Sequence, residues 1–234
     1  MAKQVRKHIS QIFDIELNEL KNKVLSMGGL VEEQLTNAII ALTKHDTELA
    51  QQVYNNDYKI NALEVSLDEE STRILAIRHP AASDLRLVMA IIKTIPDLER
   101  IGDQAERIAH MTLQMQGETP AKYFIAMNHL GEHVRLMLHN TLDAFARFDV
   151  DMAIQVMHDD LKIDQEYDNI SRQLITYMME DPRIIPIVLN ILWSARALER
   201  VAAHARHICE YIIYYVEGKD IRHISLDQLK QETS

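Results

Sequence analysis

Glycine, proline, aromatic residues and cysteine are all scarce in this chain. Its 234 residues include six glycines, five prolines and one cysteine, and only 6% are aromatic. So few turn-forming residues, together with many strong helix formers and no strand-like alternation, exclude a fold rich in β-structure. Cys209 has no second cysteine with which to form an intramolecular disulfide, which is typical of a reducing compartment. The composition therefore predicts an all-α protein.

The chain also lacks long apolar runs and a stripe of basic residues. No stretch of about eighteen apolar residues occurs, so we expect no membrane-spanning helix. The N-terminal segment is too polar for the core of a signal peptide. The formal net charge of −10 argues against the basic surface that is typical of nucleic-acid-binding proteins. We therefore expect a cytoplasmic protein that binds no nucleic acid.

Apolar residues recur every three or four positions over six long segments, which predicts six helices. Asp46 and Asp149 are placed to cap the second and fifth helices, and Gly218 to end the sixth. Trp193 lies in an apolar run and is predicted to be packed in the core. The predicted helices begin near residues 10, 46, 83, 119, 149 and 181.

The second half of the chain repeats the first. Residues 41–53 align without a gap with residues 144–156, and residues 98–100 match residues 198–200. Such a repeat predicts two similar three-helix units packed side by side. The predicted units are residues 1–117 and 118–218, followed by a polar tail at 219–234.

Acidic side chains recur at helical spacing in both halves. Glu99 and Asp103, for example, are four residues apart and share one helix face. Oxygen ligands from facing helices bind divalent or ferric ions, which also relieve the repulsion between like charges. The candidate metal ligands on the repeat register are Asp57, Glu99, Asp103, Asp160, Asp164 and Glu199.

Two other interpretations of these carboxylates stay open. They are also typical of a solvated helix face that is balanced by arginines such as Arg100, Arg107 and Arg200. A metal-binding helical carboxylate protein with a storage or redox role is the second alternative. However, no Glu has a His three residues later, as in di-iron carboxylate enzymes. There is also no glycine-rich phosphate loop and no Gly-x-Ser-x-Gly motif, so we expect that the protein is not an enzyme.

Seven segments carry recognisable motifs: 84–89, 91–95, 97–103, 142–147, 164–167, 176–181 and 214–223. Together they resemble the signature of the PhoU family of phosphate-uptake regulators. The resemblance covers nearly the whole chain. It implies six antiparallel helices in two similar three-helix bundles, in a protein that is not an enzyme and that negatively regulates phosphate uptake and the phosphate regulon.

The resemblance also implies partners and cofactors. The expected partners are the ATPase subunit of a phosphate ABC transporter and a phosphate-sensing histidine kinase, so the protein would reach the membrane only through them. The expected assembly is a homodimer. The expected cofactors are divalent or ferric metal ions: iron, zinc, manganese or magnesium.

The family's acidic pairs can be carried over position by position. They fall on Asp57 with Asn61, Glu99 with Asp103, Asp160 with Asp164, and Glu199 with Ala203. Two of the four pairs are therefore broken, and each half keeps one intact pair. This predicts that metal binding is weaker, involves fewer metal ions or is absent. His204 and His207 are softer ligands nearby, but we interpret them as polar surface residues.

Overall fold

A computed structural model describes residues 2–115 and 121–221, and every regular element within these ranges is helical. Two short 3-10 turns, Ala121–Tyr123 and Pro182–Ile184, precede α5 and α7. The predicted all-α class is therefore confirmed. The α-helices are α1 (Ala2–Lys44), α2 (Thr47–Asn56), α3 (Tyr58–Arg78), α4 (Ala82–Gln114), α5 (Ile125–Arg147), α6 (Val150–Glu180) and α7 (Ile185–Glu217).

The second predicted helix is divided into α2 and α3 at Asp57. The division is slight, because Asp57 keeps helical dihedral angles, with φ −56° and ψ −36°. Its carbonyl oxygen accepts a hydrogen bond from the backbone N–H of Ile60, at 2.9 Å. The first helix begins at Ala2 rather than near residue 10. The fourth predicted start, at residues 119–120, lies outside the described residues.

The predicted helix caps at Asp46, Asp149 and Gly218 are confirmed. The side chain of Asp46 accepts a hydrogen bond from the N–H of Leu49, at 2.9 Å, and that of Asp149 accepts one from Met152, at 3.0 Å. Each bond satisfies an N–H group that the first turn of a helix leaves without a partner. Gly218 ends α7 with a positive φ of 72°, which a residue without a side chain adopts without strain.

The two halves meet mainly where α4 packs against α7. α1, α2 and α3 contact α4, whereas α5 and α6 contact α7, and α1 also packs against α5. Leu98 and its repeat counterpart Leu198 are both fully buried. Because both motifs lie in this central pair, the residues that follow them are held at the edges of a rigid core. The domain boundaries at residues 117 and 118 stay a prediction.

Trp193 was predicted to be packed in the core, and this prediction is wrong because Trp193 is 44% exposed. The buried stripe of α7 runs through Ile191, Ser194, Ala195 and Leu198, and position 193 falls beside it.

Within the described ranges, no helix combines the length and apolar character needed to cross a bilayer.

Candidate metal centre

Three carboxylates of the first half converge where α4 passes the junction of α2 and α3. Asp57, Asp103 and Glu106 each place a ligand oxygen within 4.8 Å of the others. Asp103 and Glu106 are three residues apart on α4 and share one face, whereas Asp57 lies at the junction opposite. We call these three residues the first carboxylate site. Glu106 was not among the predicted ligands, although its spacing from Asp103 was a usable signal.

Asp57 is the buried member of the first carboxylate site. Its residue is 8% exposed, and the amide of Asn61 donates a hydrogen bond to Asp57 Oδ2 at 2.8 Å. Asp57 Oδ1 is buried, and no donor among the described residues reaches it. A buried oxygen without a donor costs about 1–3 kcal/mol or more if it is charged. A bound cation would remove that cost.

Gly102 allows α4 to approach Asp57 closely. A Cβ atom at this position would lie 2.9 Å from Ile60 Cδ1 and 3.5 Å from Asp57 Oδ1. The second half has Ala202 at the equivalent place, fully buried. A side chain at residue 102 would therefore press on Ile60 beside Asp57.

Burial and mutual repulsion disfavour the charged form of these groups. Burial raises the pKa of Asp57; the hydrogen bond from Asn61 opposes this, and the charge of Asp103 adds to it. Burial also raises the pKa of Glu106, with further contributions from Asp57 and Asp103. Without a cation, Asp57 and Glu106 therefore bind protons more readily than ordinary carboxylates do. Raised carboxylate pKa values of this kind are typical of metal ligands before the metal binds.

Glu99 lies one turn before Asp103 at the edge of the same site. Burial and the charge of Asp103 raise its pKa, whereas Arg100 lowers it. Arg100 Nη1 is 3.1 Å from Asp103 Oδ2, and Arg100 Nε is 3.4 Å from Glu99 Oε2. The side chain of Arg100 is 60% exposed, so this pairing is strongly screened by water. The predicted balance by arginine therefore holds for Glu99 and Asp103 at the outer edge of the site. Among the residues that the structure describes, Asp57 has no cationic partner.

A cleft of about 450 Å³ opens beside the first carboxylate site. The rings of Tyr54 and His110, which both line it, stack with their centroids 5.9 Å apart. The cleft gives solvent, or a side chain of a partner, access to two of the three carboxylates. It is lined by Tyr54, Asp103, Gln104, Glu106, Arg107, His110 and Met111.

The other predicted ligands, Asp160, Asp164 and Glu199, lie in the second half, on α6 and α7. Burial raises the pKa of Asp160 to about 6; Arg206 opposes this, and the other two carboxylates add to it. Among the residues that the structure describes, these three do not bring ligand oxygens within 4.8 Å of one another. The two halves therefore differ at the predicted sites.

Arg206 explains this difference. On the repeat register it replaces Glu106, and Ala203 replaces Asp103. The Nε atom of Arg206 lies 3.2 Å from Asp160 Oδ2. The second half therefore has a carboxylate at only one of the three equivalent positions, Asp160. The guanidinium of Arg206 lies beside it. Of the two halves, the first is the one whose predicted ligands converge on a space suited to a metal ion.

The fold and this site define a class of helical proteins that are built from two repeated three-helix units. The chain belongs to the PhoU family: the model of the PhoU domain matches residues 24–112 and again residues 127–212. It is 50% identical over 227 residues to the phosphate-specific transport system accessory protein PhoU of Edwardsiella tarda, covering 97% of this chain and 93% of that protein.

Two solved structures have the same fold. The crystal structure of PhoU from Pseudomonas aeruginosa has a TM-score of 0.86 at 49% identity, over 88% of this chain and 100% of that one. The phosphate transport system regulatory protein PhoU from Streptococcus pneumoniae has a TM-score of 0.83 at 33% identity, over 89% of this chain and 98% of that one. The family consists of accessory and regulatory proteins, not enzymes, so the predicted family, fold and non-enzymatic class are confirmed.

Proposed function

We propose that this protein negatively regulates phosphate uptake and the phosphate regulon as a cytoplasmic adaptor. It would bind the ATPase subunit of a phosphate ABC transporter on one side and a phosphate-sensing histidine kinase on the other. Family membership supports the phosphate-transport role, since the relatives are named as accessory proteins of phosphate-specific transport. The observation that carries the docking mechanism is the first carboxylate site, where buried Asp57 Oδ1 faces two further carboxylates beside an open cleft.

The first carboxylate site fits a hard cation. Asp57, Asp103 and Glu106 supply only oxygen ligands, which suit magnesium, manganese or ferric iron, and zinc also accepts carboxylates. Such an ion supplies positive charge and coordination positions that are open to an oxygen of a partner. The three residues would hold the ion, and Asn61 would keep Asp57 in place through its hydrogen bond to Oδ2.

Charge favours docking to basic surfaces. The net charge of −10 and the acidic face of α4 would steer partners that carry complementary basic patches. A cation in the first carboxylate site would change the local charge by two or three units, and so would change which partner surface fits. We also propose that the protein is a homodimer, which light scattering of the purified full-length chain would test.

The test is a pull-down of both partners by the full-length protein, wild type or with Glu99→Ala and Asp103→Ala. We expect the wild type to retain the ATPase subunit and the kinase, and the variant to lose at least one of them. The matched control, Glu132→Ala with Asp143→Ala, removes the same two charges from α5, where each carboxylate is paired with an arginine.

The outcomes separate docking from general electrostatics. Retention of both partners by the α4 variant would contradict docking through this face, and equal losses in the control would indicate nonspecific charge effects. Elemental analysis of the same preparations reports whether a metal accompanies binding. If neither partner binds the folded wild type, but iron-loaded protein turns over oxygen or peroxide, the storage or redox alternative replaces the adaptor.

A further inference from the structure

Two histidines of the second half meet a buried carboxylate of the first half where α4 packs against α7. His204 Nδ1 lies 2.6 Å and His207 Nδ1 lies 3.3 Å from the same oxygen, Asp97 Oδ1. The histidines are three residues apart on α7 and share one face, whereas Asp97 comes from α4. The three ligand atoms lie within 4.8 Å of one another. We call these residues the interhelix triad.

The interhelix triad differs from the other histidine–carboxylate pairs. His133 with Glu166, and His139 with Glu32, each join a single ring to a single carboxylate, and both rings are more than half exposed. In the triad the side chains of Asp97 and His204 are 11% and 22% exposed, and two rings direct Nδ1 at one oxygen. The ligand atoms of the triad are therefore partly shielded from water, as they are in metal sites.

Two imidazoles and one carboxylate are a typical ligand set for zinc and neighbouring transition metals. Zinc bonds of about 2.0–2.1 Å place the ligand atoms of a tetrahedral site roughly 3.3 Å apart. The distance from His207 Nδ1 to Asp97 Oδ1 already has this value, and that from His204 needs to open by about 0.7 Å. The side chain of His207 is 37% exposed, which leaves solvent a path to the remaining coordination position.

The triad occurs only once on the repeat register. The counterparts of Asp97, His204 and His207 are Ala197, Gln104 and Arg107, which offer neither a carboxylate nor an imidazole. These counterparts line a separate small pocket together with Trp193, Arg196 and Arg200. The triad is therefore not a second copy of the carboxylate sites, and it uses softer ligands than they do.

We propose that Asp97, His204 and His207 bind one zinc ion, or a similar transition metal, which joins α4 of the first half to α7 of the second. The ion replaces the two hydrogen bonds on Asp97 Oδ1 with coordination by two Nδ1 atoms and the carboxylate. Water fills the open position.

The experiment measures zinc binding to the metal-free, full-length protein by competition with a chromophoric chelator. We expect His204→Ala and His207→Ala each to weaken zinc binding by at least about tenfold, since even indirect partners of a metal ligand contribute that much. Two controls should keep wild-type zinc affinity. His133→Ala and His139→Ala each remove an exposed histidine–carboxylate pair that lies outside both candidate metal sites.

Wild-type affinity in the variant that lacks both histidines would overturn the proposal, as would equal loss in the His133→Ala control. Excess Mg²⁺ should not displace the zinc, because it prefers oxygen ligands; displacement at millimolar Mg²⁺ would place the ion at a carboxylate site instead. If the alanine variants fail to fold, nitrogen-15 spectra of the wild-type histidine rings replace them. Zinc should then shift the Nδ1 resonances of His204 and His207, and unchanged resonances would refute the site.

Discussion

Replacing Asp57 with Asn tests whether the first carboxylate site is built for a cation. The ligand oxygens lie within 4.8 Å of one another, and two unit charges at that limit repel by about 3.5 kcal/mol at an effective dielectric constant of 20. Part of this repulsion is relieved by proton uptake, because the pKa values of Asp57 and Glu106 are raised. The neutral amide removes the repulsion, and its oxygen can still accept the hydrogen bond from Asn61.

We therefore expect metal-free Asp57→Asn to be more stable than the wild type at pH 7, by about 1–3 kcal/mol. For a chain of this length, each kcal/mol corresponds to about 2–4 °C in Tm. With Mn²⁺ bound, the wild type should become more stable than Asp57→Asn. At one hundred times its Kd, Mn²⁺ stabilises the wild type by about 2.7 kcal/mol, whereas the variant, with one ligand fewer, gains less.

The assay is thermal unfolding of both proteins after chelation and again with Mn²⁺. Asp160→Asn is the matched control, because it changes the equivalent residue in the second half, beside the tethered cation Arg206. Its response to Mn²⁺ should equal that of the wild type. If Asp57→Asn gains as much stability from Mn²⁺ as the wild type does, Asp57 is not a ligand and the cation-site argument is wrong.

Three further predictions concern pH, packing and reactivity. The pKa of Asp160 is raised from 3.8 to about 6, mainly by burial, so the stability due to its protonated form is complete below about pH 4 and is lost as the pH rises through 6. In urea unfolding of the wild type, the free energy of unfolding should fall by about 3 kcal/mol over this pH range. Asp160→Asn should not show this fall, and equal pH slopes in the two proteins would contradict the prediction. Gly131→Ala would place Cβ 2.7 Å from Ile39 Cγ2, so unfolding should become easier by about 1–3 kcal/mol. Gly29→Ala, with nothing within 4 Å, should instead stabilise the helix by up to about 1 kcal/mol in the same measurement. Burial raises the pKa of Cys209 to about 12, so iodoacetamide should label it only after denaturation, and rapid labelling of the native protein would refute its burial.

The local features of the fold were predictable because they depend on neighbours in the sequence. Asp46 and Asp149 cap helices through bonds that reach only three residues ahead. The periodic apolar positions predicted six helices for the same reason, although the slight break at Asp57 was missed. Trp193 shows the limit: an apolar neighbourhood predicted burial, but its angular position on α7 left it exposed.

The sites depended on contacts between helices that the sequence does not specify. Spacing placed Glu99 and Asp103 on one face, yet only packing brought Asp57 against Asp103 and Glu106. The same packing placed Arg206 beside Asp160, which makes the second half differ from the first despite the repeat.

By itself, the sequence determined the helical class, the internal repeat and the face on which each acidic residue lies, because these follow from local spacing and composition; the family was indicated by the resemblance of its motif segments. Tertiary structure decided which carboxylates converge, which are neutralised, and that two histidines of α7 meet Asp97 of α4. The physical reason is that burial and charge at these sites are set by side chains that are distant in the sequence. Asp57 meets Asp103 and Glu106 only when the helices of the first half pack, and the two histidines meet Asp97 only when the two halves pack.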